Sequence, residues 1–268
     1  MRSRTLREPE LPDAARPQWP PWSAPAALFS ALGAIVVAGI PLLPVLVTYG
    51  ISEAVAGVAL LALLLVQDGL LVLAAVLFAS IKRRPRPWHF GIRASRLWPT
   101  VGWALVAFSL MLALELGYIE LFQVDETNVE ELGEGSLVAG FAVSTAVIVV
   151  APVAEEIFFR AFFYRALRTR LPVWSAALTD GLVFGSLHFQ GVDTAIILPV
   201  IALFGVGQCL VYERTGSLFA VIAIHAAFNT FAMLSVVPLP AILIGVLVIL
   251  GCLLAPRTAG RWPSPLPA

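Results

Sequence analysis

The chain has 268 residues, of which 59% are hydrophobic and only 13% are charged, and its formal net charge is zero. A soluble domain of this length is about half apolar and one-quarter charged, so this composition excludes an ordinary water-facing surface. Because no basic patch interleaved with exposed aromatic residues is present, nucleic acid is excluded as a partner. The two cysteines, Cys209 and Cys252, lie far apart in apolar runs and indicate small buried side chains instead of a disulfide framework.

Apolar runs of about 20 residues predict a polytopic all-α membrane protein with about eight transmembrane helices. The lipid bilayer is therefore the first partner that the sequence indicates. The first run is too long for the core of a signal peptide, so we expect it to be retained. The eight predicted spans are 24–48, 54–81, 97–122, 136–164, 172–190, 193–212, 217–236 and 238–255.

The positions of arginine and lysine predict which ends of the spans face the cytoplasm, because positive charge flanking spans stays inside. With both termini in the cytoplasm, 16 of the 17 basic residues fall in cytoplasmic segments, and Arg160 lies within a span. The longest loop on the opposite side, 123–135, contains five acidic residues and no basic residue. We therefore expect an integral protein of the cell membrane whose termini are both cytoplasmic.

Ionisable residues inside the predicted spans are candidates for function, because a charge at mid-bilayer costs at least ~2.5 kcal/mol. Span four contains Glu155 and Glu156, followed by Arg160. Glu156 and Arg160 are four residues apart and share a helix face, which predicts an ion pair. Glu155 is rotated by about 100° from Glu156, so it is left free for another role.

Two further spans carry histidines. His188 ends the sequence Phe-Gly-Ser-Leu-His in span five, and His225 begins His-Ala-Ala-Phe-Asn in span seven, with Asn229 one turn later. At a rise of 1.5 Å per residue, Glu155, His188 and His225 lie about 20, 21 and 14 Å from the cytoplasmic ends of their helices. One shared cluster at mid-membrane is therefore possible.

Backbone features support an opening in this region. Pro152 lacks an N–H group and should kink span four one turn before Glu155. Gly181 and Gly185 form a small-residue face that predicts close packing of span five on a neighbouring helix.

Each of these residues also has a purely structural interpretation. A single intramembrane histidine is more often packed than catalytic, and the Glu155–Glu156 pair alone is typical of a structural ion-pair site. Phe184 is interpreted as packing. We interpret Asp68, Glu115 and Asp180 as structural or as lining an access route, and His89 as a solvated loop residue.

The three sequences Glu-Glu-Ile-Phe-Phe-Arg, Phe-Gly-Ser-Leu-His and His-Ala-Ala-Phe-Asn occur in this order on separate spans. Together they resemble the CAAX-protease and bacteriocin-processing (Abi-type) family of intramembrane proteases, whose pattern is EExxxR, FxxxH and HxxxN or HxxxD. The sequence Tyr-Glu-Arg-Thr-Gly-Ser-Leu at 212–218 is similar to a loop of that family. The resemblance covers about 136–236 and departs at Ala161, where many members have glycine.

Composition, hydropathy and the resemblance together divide the chain into four parts. The content of Pro, Arg and Glu predicts a disordered cytoplasmic tail at 1–23, and the resemblance implies a CAAX-protease-like catalytic core at 136–236. The other two parts are spans one to three with their loops at 24–135 and the last span with a Pro-rich tail at 237–268. Spans four to seven would form the core bundle.

The resemblance also implies an endopeptidase acting on membrane-associated or lipidated peptides. Glu155 would activate water with the help of His188, His225 and Asn229 would donate hydrogen bonds to the oxyanion, and Glu156 with Arg160 would support them. Metal dependence stays open: zinc, if present, would bind Glu155, His188 and His225, although none of the spacings is of the HExxH type.

Two other functions are compatible with the same residues. Buried glutamate, histidine and arginine also build the proton relays of coupled transporters, but transporters usually show internal repeats, and here the polar residues concentrate in one half of the chain. A catalytically inactive membrane scaffold of the same fold is the other interpretation.

Overall fold

The computed structural model describes residues 17, 19–42, 53–93, 97–122 and 137–258. Side-chain environments are described for these residues except at 42, 53–57, 193 and 256–258. Within these ranges the regular structure is entirely helical, so the predicted all-α class is confirmed. The acidic loop 123–135, residues 1–16 and the end of the Pro-rich tail lie outside the described residues.

Eight helical segments follow the order of the eight predicted spans. We label them α1 to α8, and α4 combines α-helical and π-helical turns. They are α1 (Ser23–Gly39), α2 (Glu53–Ala79), α3 (Leu97–Phe122), α4 (Leu137–Arg168), α5 (Val173–Ser186), α6 (Leu198–Thr215), α7 (Leu218–Ala232) and α8 (Pro238–Thr258).

Four segments of the described chain are both long and apolar enough to cross a bilayer: Val58–Ala79, Leu97–Phe122, Leu137–Arg168 and Pro238–Ala255. Ser23–Gly39 and Leu218–Ala232 are apolar but shorter. Many large hydrophobic side chains on α2, α3 and α8 are exposed, as expected for helices that face lipid. These features are those of a polytopic integral membrane protein.

Helix α4 is the central element of the bundle and departs from regular α-helical geometry. Residues Ala146–Val150 and Glu156–Tyr164 form π-helical turns on either side of the short α-helical segment Ala151–Glu155. Pro152 lies in that short segment, where its missing N–H interrupts the backbone ladder. π-helical turns often occur at functional sites, and here they bracket the two adjacent glutamates.

Helices α5 and α6 pack closely because glycines face each other between them. A Cβ atom on Gly181 would lie 2.6 Å from the carbonyl oxygen of Ala202, and one on Gly205 would lie 2.9 Å from Gly181 Cα. A Cβ on Gly185 would lie 2.8 Å from Ala202 Cβ. The small-residue face predicted for span five is thus confirmed, and its partner is α6.

The turn between α6 and α7 depends on two residues of the 212–218 sequence. Gly216 adopts the left-handed conformation with φ 57° and donates its N–H to Tyr212 O at 2.7 Å, which ends α6. Ser217 caps α7, with its side chain accepting a hydrogen bond from the Ala220 N–H. This turn brings α7 back alongside α6, with His225 two turns from its start.

The segment before α1 differs from the prediction of a disordered tail at 1–23. Trp19 is buried, and its ring packs against Phe90 at 5.2 Å and against Phe162 of α4 at 5.3 Å. The prediction was based on the Pro, Arg and Glu content of the segment, which does not reveal a single tryptophan that finds an aromatic pocket. At Trp19 the structure therefore corrects it.

Candidate active site

Glu156 contacts polar side chains on its own helix and on two others. Its side chain is fully buried, and Arg160 Nη1 lies 3.3 Å from its Oε1, so the ion pair predicted from the spacing is present. The same Oε1 lies 2.8 Å from His225 Nδ1 on α7 and accepts a longer hydrogen bond, 3.3 Å, from Gln208 Nε2 on α6. Glu156 therefore joins three helices.

His225 lies between the two adjacent glutamates. Its Nδ1 faces Glu156, and its Nε2 lies 3.8 Å from Glu155 Oε2. Since a carboxylate only accepts hydrogen bonds when it is ionised, Nδ1 is the donor to Glu156. The two carboxylates were expected to point in different directions, and they do. Each faces a different nitrogen of the His225 ring.

Glu155 is left without a hydrogen-bond partner at Oε2, although that atom is buried. Its side chain is 16% exposed. Asp68 of α2, which is 1% exposed, is an electrostatic neighbour of Glu155 and disfavours its negative charge. A buried polar group without a hydrogen-bond partner is costly, so the position of Glu155 Oε2 is energetically unfavourable.

Arg160 is held from several sides. Besides Glu156, the Asp180 carboxylate of α5 lies 3.8 Å from its Nε, and Gly205 O on α6 accepts from Nη2 at 3.4 Å. Its guanidinium carbon lies 4.4 Å from the ring centre of Phe184, within cation–π distance. Asp180 in turn accepts a hydrogen bond from Cys209 Sγ at 3.1 Å. The structural interpretation of Asp180 agrees with these contacts.

His188 lies in the turn just after α5 ends at Ser186, and not within the helix as the depth estimate assumed. Its Nδ1 is 2.8 Å from Phe184 O. A carbonyl oxygen can only accept, so Nδ1 carries the proton and Nε2 is the acceptor of the neutral ring. The ring of Phe184 lies 4.7 Å from that of His188 and 6.0 Å from that of His225, which places it between the two histidines.

A cavity of about 180 Å³ opens beside these residues, between α3, α5, α6 and α7. His188, His225 and Asn229 contribute its polar wall together with Glu115 of α3, and the remaining wall is apolar. Asn229 donates from Nδ2 to Val147 O in the π-helical part of α4 at 2.7 Å. Glu155 is not part of the cavity wall and reaches the cavity only through His225.

The predicted site residues thus fall into two groups. In the first group, His225 contacts Glu155 and Glu156, and Glu156 also pairs with Arg160. The second group, His188, His225 and Asn229, lines one cavity. His225 belongs to both groups. Within the described part of the chain, no three His, Cys, Asp or Glu side chains are placed to share one metal ion, so this arrangement does not fit the three-ligand zinc site.

Two participants were missed or undervalued from the sequence. Gln208 donates to Glu156 and also to Val221 O at 2.8 Å, which fixes α6 to α7 beside His225. This glutamine carries no charge and belongs to none of the three motifs, so its only signal in the sequence was its polarity within an apolar span. Phe184, interpreted as packing alone, also stacks on Arg160 and supplies the carbonyl that orients His188. Its position one turn before the histidine was the available signal.

Comparison with known proteins gives two matches. Residues 137–231 match the family model described as "Type II CAAX prenyl endopeptidase Rce1-like". A Bacillus subtilis (strain 168) protein named "Putative membrane peptidase YdiL" is 30% identical over 146 residues, which are 53% of this chain and 57% of that protein. The match therefore spans little more than half of the relative's length. No solved structure matches the chain.

The matched segment contains the three motifs from which the family resemblance was inferred, and that resemblance is confirmed. Glu155, Glu156, His188, His225 and Asn229 all lie within it. Asp68 and Glu115, by contrast, belong to α2 and α3 and lie outside it.

Proposed function

Because residues 137–231 match the family model of Rce1-like type II CAAX prenyl endopeptidases, we propose that this protein is an intramembrane endopeptidase. Its substrates would be membrane-associated or lipidated peptides. The observation that carries the proposal is the position of His225, which contacts both motif glutamates and lines the same cavity as His188 and Asn229.

In the proposed reaction, Glu155 accepts a proton from a water molecule whose oxygen attacks the carbonyl carbon of the scissile peptide bond. The C–N bond then breaks as Glu155 returns this proton to the departing nitrogen. The products are a carboxylic acid and an amine, which ionise to a carboxylate and an ammonium group. The buried Oε2 of Glu155 has no hydrogen-bond partner, which leaves it available for this water. His188 Nε2, the acceptor of its neutral ring, would hold one hydrogen of the same water.

The developing oxyanion would be stabilised by donors on α7. His225 is oriented by Glu156 through Nδ1, and when Nε2 also carries a proton it can donate to the oxyanion. Asn229 already donates to Val147 O, which leaves the second hydrogen of its amide nitrogen for the substrate. Arg160 and Asp180 support Glu156 and do not line the cavity.

The orientation predicted from the basic residues is part of this proposal. The cavity is lined by the C-terminal halves of α3, α5 and α7 and by the N-terminal half of α6, which runs in the opposite direction. It therefore lies at the end of the bundle that contains His188 and Ala232. The ion pair of Arg168 with Glu213 lies at the other end. With that pair and both termini in the cytoplasm, the cavity lies in the outer half of the cell membrane.

Cleavage by the purified protein in detergent or liposomes tests the proposal. Wild type should release peptide fragments from a library of apolar and lipidated peptides, whereas Glu155→Gln, His188→Ala and His225→Ala should each be inactive while remaining folded. Asn229→Ala should lose about 10²–10³ in rate, the usual cost of one oxyanion donor. If two of the first three variants keep near-normal turnover, the shared site is wrong.

A chelator distinguishes the two forms of the mechanism. Unchanged cleavage after EDTA treatment supports activation of water by Glu155 without a metal. Loss of cleavage that added Zn²⁺ restores would instead require a metal, with ligands that come together only in a rearranged site.

A further inference from the structure

The cavity contains one carboxylate that the proposed mechanism does not use. Glu115 of α3 lines it together with Met111 and Leu114. Among the described residues that line the cavity there is no lysine or arginine, so none of them offers Glu115 a permanent cation. A carboxylate placed in a mostly apolar wall within a membrane span is costly unless something compensates it.

The backbone of α3 is fixed on both sides of Glu115. One turn earlier, Met111 packs into the space left by Gly207 of α6, where a Cβ atom would collide with the methionine side chain. About one turn after Glu115, the phenol of Tyr118 donates a hydrogen bond to Ile196 O at 2.7 Å. These two contacts hold α3 against the segment that contains α6, and Glu115 lies between them on the cavity wall.

The same small cavity contains His225 and Asn229, the proposed donors to the oxyanion. A substrate group that reaches Glu115 must then belong to a residue close to the scissile bond. The aliphatic stem of a lysine matches the apolar wall, and its ammonium group would pair with the carboxylate, as long basic side chains do at interfaces.

We propose that Glu115 determines substrate specificity by binding a basic side chain next to the scissile bond. This inference rests on the proposed peptidase function and adds a substrate class to it: membrane-associated peptides with a lysine or arginine at the cleavage position. The family model matches residues 137–231, and α3 lies outside them. The preference would therefore come from a helix that the family model does not include.

Three peptides that differ only at the residue beside the cleaved bond provide the test, with lysine, its uncharged isostere norleucine, or glutamate at that position. For the wild type, kcat/KM should favour lysine over norleucine by about tenfold or more, as one charge-assisted hydrogen bond provides. Glu115→Gln should reduce this ratio to about one, and Glu115→Lys should favour the glutamate peptide.

Glu120→Gln is the matched control, because Glu120 is on the same helix but does not line the cavity. This variant should keep the wild-type ratio. An unchanged lysine preference in Glu115→Gln, or equal loss of the preference in Glu120→Gln, would overturn the inference while leaving peptidase activity established.

Binding separates this inference from the proposed function if no peptide is cleaved. The lysine peptide, carrying a fluorophore, is titrated against Glu155→Gln and against the double variant with Glu115→Gln. If Glu155→Gln binds the lysine peptide more tightly than the norleucine peptide and the double variant does not, the inference is supported even without catalysis. Equal binding of the lysine and norleucine peptides by both proteins contradicts it.

Discussion

At the scale of single residues, Glu156 and Glu155 differ in what they hold in place. Glu156→Gln keeps an oxygen that can accept the His225 Nδ1–H but removes the negative charge that pairs with Arg160, and leaves a buried guanidinium that still contacts the Asp180 carboxylate. Stranding a buried charge typically costs about 3–5 kcal/mol, so we expect a clearly lower melting temperature. A second change, Arg160→Met, should restore part of it by removing the stranded cation.

Glu155→Gln should behave in the opposite way. Its Oε2 has no hydrogen-bond partner and lies near Asp68, so removing the charge should leave the melting temperature unchanged or raise it while eliminating turnover. Melting curves and cleavage rates of the two single variants and the double variant decide the assignment. Early melting of Glu155→Gln, together with a stable but inactive Glu156→Gln, would exchange the two roles.

Sequence spacing was informative over one turn of helix and not beyond it. The pairing of Glu156 with Arg160 could be predicted because residues four apart share a face. The contact of Glu156 with His225 spans 69 positions and depends on how α4 and α7 pack, which local periodicity does not contain. The π-helical turns around the glutamates were likewise missed, since the phase argument assumed 3.6 residues per turn throughout.

At the scale of helices, the α5–α6 contact depends on glycine. Gly181→Ala would place a methyl group 2.6 Å from a backbone oxygen of α6, which cannot move without separating the helices. We expect a lower melting temperature and reduced yield of folded protein. Gly117→Ala on α3 is the matched control, because nothing lies within 4 Å of its added Cβ, and it should be neutral or stabilising by up to about 1 kcal/mol. Equal melting of the two variants would contradict close packing here.

The segment between α2 and α3 should respond to pH through His89. Burial, followed by the nearby Arg86, lowers the pKa of His89 below its ordinary value of 6.5, and Nδ1 accepts a hydrogen bond from the Arg86 N–H at 3.0 Å. The folded segment thus prefers neutral His89, so its contribution to stability is complete above pH 6.5 and is lost as the pH falls below that value.

This segment is attached to the α6–α7 turn, where Arg93 Nε donates to Gly216 O at 3.0 Å and Leu218 N–H donates to Gly91 O at 3.1 Å. In hydrogen–deuterium exchange, the protection factors of amides at 87–93, which correct exchange for its intrinsic pH dependence, should therefore fall in mildly acidic buffer. His89→Asn can still accept the Arg86 N–H without titrating, so its protection factors should not depend on pH in this range. A fall of equal size in both proteins would assign the effect to another group.

At the scale of the whole molecule, the predicted orientation is open to direct measurement. Reporter fusions or cysteine labelling should place 82–96 in the cytoplasm and 123–135 outside, because the first contains six basic residues and the second contains none. A cytoplasmic signal from 123–135 would change the span count and reverse the side on which the cavity opens. Within the described residues, hydropathy was sufficient to predict the order of the helical segments, whereas the packing partner of each helix was not predicted.

The shared charges of α4 and α5 also bear on how the protein enters the membrane. Glu156 and Arg160 pair within α4, but Asp180 meets Arg160 only after the two helices have come together, so α5 released singly into lipid would carry an uncompensated carboxylate. The connection between them is short, from Arg168 to Val173. Biogenesis should therefore favour lateral release of α4 and α5 from the translocation channel as one hairpin, with the ion pairs already formed at the moment of exit.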